Sequence, residues 1–184
     1  MSAARILPVL FIFLLAMVPA SAAEPAALQA WFVDSLTKVF PGDAPGAHRL
    51  GAPEFIAARN QHLSIQLALR SPAAIEDIFA EISPLKGTRG EHIAGAIAHA
   101  VGLVVVGSHT KNTPSAERIG EAPGWFPDPL WDFPVALERN RTRSLWATIH
   151  VPADAVPGLY RGAILLRAGK RPLKRVEFRI RVFG

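Results

Sequence analysis

The stretch Lys174-Arg175-Val176-Glu177-Phe178-Arg179-Ile180-Arg181-Val182-Phe183 decides how the chain reads. Val176, Phe178, Ile180 and Val182 take every second position, and Arg175, Glu177, Arg179 and Arg181 alternate with them. Successive side chains of a strand point to opposite faces, so this spacing sets an apolar row toward a core and a charged row toward water. The same period recurs upstream. In His62–Arg70, the residues Leu63, Ile65, Leu67 and Leu69 oppose His62, Ser64, Gln66 and Arg70. In Leu145–Val151, the residues Leu145, Ala147, Ile149 and Val151 oppose Trp146, Thr148 and His150. Half-buried strands of this kind belong to antiparallel sheets with one wet face.

Ala163–Leu166 and Val101–Val106 are short unbroken apolar runs, which predict strands buried more deeply. Fainter strand signals cover Ala30–Val33, Ile75–Ile82 and Ile93–Ala98. Two segments have a helical alternative. Ser71 would cap a helix with Pro72 at its first position, and Ile93, Ile97 and Ala100 sit at helical spacing around the Ala-rich run Ala94–Ala100. The strand neighbours and the short turns between them favour strands. Gly169-Lys170-Arg171-Pro172 predicts a hairpin, and Val156-Pro157-Gly158 a turn that opens another strand. Lys111–Pro134, with five prolines, reads as the longest loop, and loops of that length are usually functional or interfacial. Seven or more strands with Pro/Gly turns and little helix predict an all-β fold. The expected architecture is an antiparallel two-sheet β-sandwich of jelly-roll or immunoglobulin-like kind.

The 184 residues allow one domain plus a short extension. A chain of this size buries roughly 70% of its unfolded surface, so it needs no staple. An apolar share of 50% against 19% charged excludes a disordered protein. The absence of Cys excludes disulfides, thiolate metal sites, a cysteine nucleophile and a lipoprotein anchor.

Arg5 is the only charge before Glu24; an apolar run Ile6–Val18 follows it, then Pro19 and the small residues Ala20-Ser21-Ala22-Ala23. This predicts a secretory signal peptide over residues 1–23, cleaved near Ala22 or Ala23, and a domain over 24–184. The run is too short for a comfortable membrane span of about 20 residues, and no second such run follows. The expected location is secreted or periplasmic, with no stable membrane span after cleavage. Loss of Arg5 takes the formal charge from +5 to +4. That balance does not favour nucleic acid, although Arg161, Arg167, Lys170, Arg171, Lys174, Arg175, Arg179 and Arg181 gather late in the chain. They read as a solvated sheet face, with a patch for anionic glycans or phospholipid headgroups as the sharper alternative.

No local zinc spacing links His48, His62, His92, His99, His109 and His150, so neither a metal nor a cofactor is expected. G-x-S-x-G, Gly-rich phosphate loops and H-E-x-x-H do not occur. The only adjacent acids, Glu76-Asp77, would point to opposite faces of a strand. Pro127-Asp128-Pro129 predicts a rigid loop whose carboxylate accepts backbone N–H bonds. Trp125, Phe126, Trp131 and Phe133 lie close together and suit core or interdomain contact, with sugar stacking as the rival use. Tyr160, after a Pro-Gly turn, is expected to bond local backbone through its hydroxyl.

Three segments together resemble a known family. They are Ala57-Ala58-Arg59-Asn60-Gln61-His62 with Gln66 four residues on; Pro123-Gly124-Trp125-Phe126-Pro127-Asp128-Pro129-Leu130; and Leu145–Pro152, containing Trp146, followed by Ala155-Val156-Pro157-Gly158-Leu159-Tyr160-Arg161-Gly162. Their order and spacing are similar to the N-terminal β-sandwich domain of glycoside hydrolase family 123, from about Trp31 to Phe183. The resemblance implies structural roles for Arg59, Asn60, Gln66, Trp146, Pro157, Gly158, Tyr160 and Gly162. It also implies that catalysis resides in a following TIM barrel, whose neighbouring Asp-Glu pair hydrolyses N-acetylgalactosaminides with help from the substrate's acetamido group. No Asp-Glu dipeptide occurs in this sequence, so no catalytic residue is expected. The leading expectation is a secreted, non-catalytic accessory domain that supports a glycoside-hydrolase-like catalytic partner or binds glycan weakly. The alternative is a stand-alone protein–protein interaction module using the aromatic, Pro-rich loop 123–134. Trp125, Phe126, Asp128, Leu130 and Trp131 are the candidate binding or interface residues.

Overall fold

A computed structural model describes residues 28–51 and 53–184. The signal peptide expected over 1–23 lies outside them. Among the described residues twelve strands carry the fold: β1 (Gln29–Val33), β2 (Glu54–Ala58), β3 (His62–Arg70), β4 (Ile75–Ile82), β5 (Leu85–Gly87), β6 (His92–Ile93), β7 (Ile97–Val106), β8 (Gly124–Trp131), β9 (Val135–Leu137), β10 (Thr142–His150), β11 (Gly158–Ala168) and β12 (Arg171–Phe183). The one helical element among the described residues is a 3-10 turn at Ser115–Glu117. One sheet runs β1-β3-β10-β7-β8; the other runs β2-β12-β11-β4-β9, with β5 on β11 and β6 on β5. The result is an all-β sandwich. All pairs are antiparallel except β2 with β12, which run parallel from Glu54↔Arg179 to Ala58↔Phe183. A parallel pair needs a long crossover, and here most of the domain lies between the two strands.

The alternating rows place the core. Leu145 stands opposite Leu67, Ala147 opposite Ile65 and Ile149 opposite Leu63, so one face of β3 and β10 turns inward. From the other sheet Phe178, Ile180 and Val182 of β12 and Tyr160, Ile164 and Leu166 of β11 complete the buried layer. Phe32, Phe55 and Phe178 interlock edge to face across the two sheets at 5.6, 6.1 and 6.3 Å. Each such buried side chain contributes roughly 1.5–3 kcal/mol. Gly169 (φ +55) and Lys170 form the two-residue hairpin between β11 and β12, where the left-handed backbone suits glycine. The hydroxyl of Tyr160 donates to the Val156 carbonyl at 2.8 Å, as its position after the turn implied.

Three segments differ from their sequence reading. Ile93–Ala98 is not one strand: Gly95 (φ +80) breaks it, so β6 ends at Ile93 and β7 begins at Ile97. Val101–Val106 is buried only at Val101 and Gly102. Beyond Ala100, β7 leaves β10 and pairs with β8 alone, which leaves Val104 and Val105 exposed. The presumed loop 111–134 contains an edge strand, β8. Pro127 and Pro129 fit there because an edge strand pairs on one side only.

Candidate functional site

The outer face of the five-stranded sheet carries the site. On β1, Phe32 points into the core while Trp31 and Val33 point out, where they need cover. Loop residues 34–50 supply it. Val39 packs with Trp31, Val33 and Ala68 as a second buried cluster. Trp31 Nε1 donates to the Ala47 carbonyl at 2.8 Å. Gln66 Nε2 donates to the carbonyls of Asp34 and Thr37, each at 2.9 Å. Thr142 Oγ1 and Arg70 Nη1 both donate to the Asp43 carbonyl, at 2.7 and 2.9 Å. Alternation put Gln66 on a wet face, whereas the family resemblance implied a structural role; it is buried, and its amide fastens the loop.

Between that loop and β8 the face opens into a groove of about 280 Å³. Trp146 and Gln66 come from the central strands, Leu36 and Lys38 from the loop, and Asp128 and Leu130 from β8. Asp128 owes its position to a bulge. Leu103 pairs with Pro127 and Val101 with Leu130, so Asp128 and Pro129 together stand opposite Gly102. A bulge leaves residues unpaired and re-aims side chains, which accommodates Pro129 and turns Asp128 to the rim. The expected backbone bonds to its carboxylate are not made. Lys38 Nζ instead donates to Asp128 Oδ1 at 3.3 Å and to the Pro127 carbonyl at 2.8 Å. With the two side chains 42% and 70% exposed, the ion pair contributes at most about 1 kcal/mol.

The other candidates lie elsewhere. Register places Trp125, Pro127 and Leu130 on one side of the β7–β8 ribbon, and Phe126 and Trp131 on the other. Phe126 packs edge to face on Phe40 at 5.4 Å. The Trp131 ring lies beside Gly102, with the Arg143 guanidinium 5.9 Å from its centroid. Burial draws the Arg143 pKa down from the ordinary arginine value. Phe133 packs against the main core. Arg59 and Asn60 form the corner from β2 into β3. There Asn60 is left-handed (φ +59), and Gln61 Oε1 accepts the Ala58 amide hydrogen at 2.7 Å. Pro157 and Gly158 open β11. Gly162 sits where a Cβ would come within 2.9 Å of the Phe178 ring and 3.1 Å of Leu85. Burial, first of all, raises the Tyr160 pKa above 10.0.

Lys38, Leu36 and Val101 join the groove without any local sequence signal. The groove offers an indole, an ammonium and a single carboxylate. Two-carboxylate glycoside hydrolysis uses a pair roughly 5–9.5 Å apart, and this groove holds one carboxylate. Among the described residues no three His, Cys, Asp or Glu side chains gather as a metal site, and no helix is long and apolar enough to cross a membrane.

Comparison with known proteins agrees with the fold and with the three sequence segments. The family model for the glycoside hydrolase 123 N-terminal domain matches residues 51–168. The chain belongs to this family. Among solved structures it is similar to a family 123 glycoside hydrolase from Clostridium perfringens, described in a study of glycolipid glycan hydrolysis. The TM-score is 0.69 at 18% identity, over 86% of this chain and 27% of that one, so the chain spans about a quarter of that enzyme's length. Among curated proteins no sequence gives a significant match.

Proposed function

We propose that this chain is a non-catalytic accessory domain that packs against a glycoside-hydrolase-like catalytic domain through the β7–β8 ribbon. One observation carries the reading. Val105, Trp125 and Leu130 are 63%, 56% and 46% exposed on one side of a two-stranded projection, with Trp131, 45% exposed, on its other side. Contiguous exposed apolar surface marks interaction sites. Family membership supports the type of partner, since the matched model is that of an N-terminal domain. The groove beside Trp146 and Asp128 adds a secondary role, weak saccharide binding by ring stacking and hydroxyl recognition. Export with cleavage near Ala22 or Ala23 belongs to the same reading.

The test mixes the purified chain with a separately produced family 123 catalytic barrel and follows association by sedimentation. Association weakened about tenfold or more by Trp125→Ser with Leu130→Ser supports the reading, given that interface anchors contribute 2 kcal/mol or more. The chain alone is expected to release nothing from an aryl N-acetylgalactosaminide; turnover lost with Asp128→Ala overturns the non-enzyme assignment. Self-association abolished by Trp131→Ala, without barrel binding, favours the stand-alone interaction module instead. Mass measurement of the exported chain checks the cleavage site.

A further inference from the structure

The seven-stranded sheet bears an unusual row on its outer face. Arg161 of β11 stands opposite Arg179 of β12 on one side and opposite Lys86 of β5 on the other. Neighbouring strands lie about 4.8 Å apart, and like charges directly opposite each other are destabilising. The acids nearby do not relieve the row. Glu54 is engaged by Arg181 at 2.9 and 3.1 Å and reaches Arg179 only at 4.0 Å. Glu177 is held by Arg175 at 3.3 Å. Among the described residues Lys86 and Arg161 make no ion pair and no side-chain hydrogen bond.

The row lines a groove of about 870 Å³, the size of small-ligand sites. Four cations, Lys86, Arg161, Arg175 and Arg179, border it with one already paired carboxylate. Ser83 and Thr88 add hydroxyls. Its one aromatic residue, Phe178, is 1% exposed and turned into the core, so the groove has no stacking platform for nucleic-acid bases. Its only exposed apolar side chain is the short ring of Pro84, too small to anchor among acyl chains.

We propose that this groove binds an acidic oligosaccharide, with carboxylate or sulfate groups seated over the Lys86–Arg161–Arg179 row. The guanidinium forks match planar or tetrahedral oxyanions, and a bound anion would relieve the repulsion within the row. The site is on the opposite sheet from the Trp146 groove, and the inference does not depend on the accessory reading.

Calorimetric titration of the purified chain tests it, with a sulfated oligosaccharide, an oligogalacturonate and a neutral oligosaccharide of equal length, at low and physiological salt. Binding of either acidic sugar and not the neutral one is expected, and the two acidic arms distinguish sulfate from carboxylate recognition. K86A with R161A should weaken binding about tenfold or more, as befits charge-assisted contacts. The melting temperature of that variant should be equal or higher, because a like-charge contact is removed. K170A with R171A, on the distal hairpin, should bind like the unaltered chain. An equal loss in the hairpin variant, no binding of either acidic sugar at low salt, or equal binding of single-stranded DNA or anionic vesicles overturns the proposal.

Discussion

The indole of Trp131 occupies the space that any side chain at Gly102 would need. Trp131 pairs with Ala100, two residues before Gly102, and its ring reaches diagonally across the β7–β8 ladder to Gly102, beside the Asp128-Pro129 bulge where the ribbon leaves the sheet. Gly102→Ala is therefore expected to displace Trp131 and cost about 1–3 kcal/mol, the usual range for forced overpacking. In a Trp131→Ala background the same change should cost much less. Urea unfolding of the four proteins of this cycle measures the coupling.

Tyr160 is the only tyrosine in the chain, so alkaline titration reads this residue alone. Its folded pKa is raised above the ordinary tyrosine value of 10.0, chiefly by burial. The unfolded chain therefore loses the phenolic proton first. Stability is full below pH 10 and falls as pH rises toward the folded pKa. Tyrosinate absorbance should appear together with loss of the fold rather than before it. Tyr160→Phe, which strands the Val156 carbonyl, should cost about 1 kcal/mol.

Gln66 joins its strand to two carbonyls of the loop, and a non-polar replacement leaves both without a donor. Gln66→Leu is expected to cost about 1–3 kcal/mol and to open the loop. Hydrogen exchange at residues 34–39 should quicken while exchange in β10 stays slow. Uniform quickening across the sandwich would argue against a local clasp.

Core and rim substitutions should separate cleanly. Ile149 is fully buried between the sheets, so Ile149→Ala should cost about 2–5 kcal/mol through lost burial and the cavity left behind. Asp128→Ala removes only an exposed ion pair and should shift stability by less than about 1 kcal/mol. Thermal unfolding of both variants decides it.

The inward rows were legible because their alternation is local: Leu63 to Leu69, Leu145 to Val151 and Val176 to Val182 point inward as their spacing demanded, although the outer face of β3 is covered by loop 34–50 rather than wet. Val101–Val106 misled because an unbroken apolar run looks the same in a buried strand and in a projecting ribbon. Only the partner strand distinguishes them, and here it is β8 alone. β8 itself was hidden by Pro127 and Pro129, which read as loop although a one-sided ladder with a bulge accommodates them. Asp128, Leu130, Trp146 and Gln66 were singled out separately, yet their meeting in one groove depends on strand order. Lys38 reaches that groove from ninety residues away and left no trace in the sequence. Arg161 and Arg179 were visible as outward charges, but their alignment with Lys86 depends on a three-residue strand whose register no local pattern specifies.

The parallel seam between β2 and β12 joins residues 54–58 to residues 179–183. Contacts so distant along the chain form slowly, because a large loop must close before they are rewarded. During synthesis β2 has no partner until the last strand has left the ribosome. Until then the nascent chain carries Phe55 and Phe32 without the Phe178 ring that completes their cluster. Such an intermediate presents both an open strand edge and uncovered aromatic surface, which makes it a substrate for holdase chaperones until β12 closes the sheet.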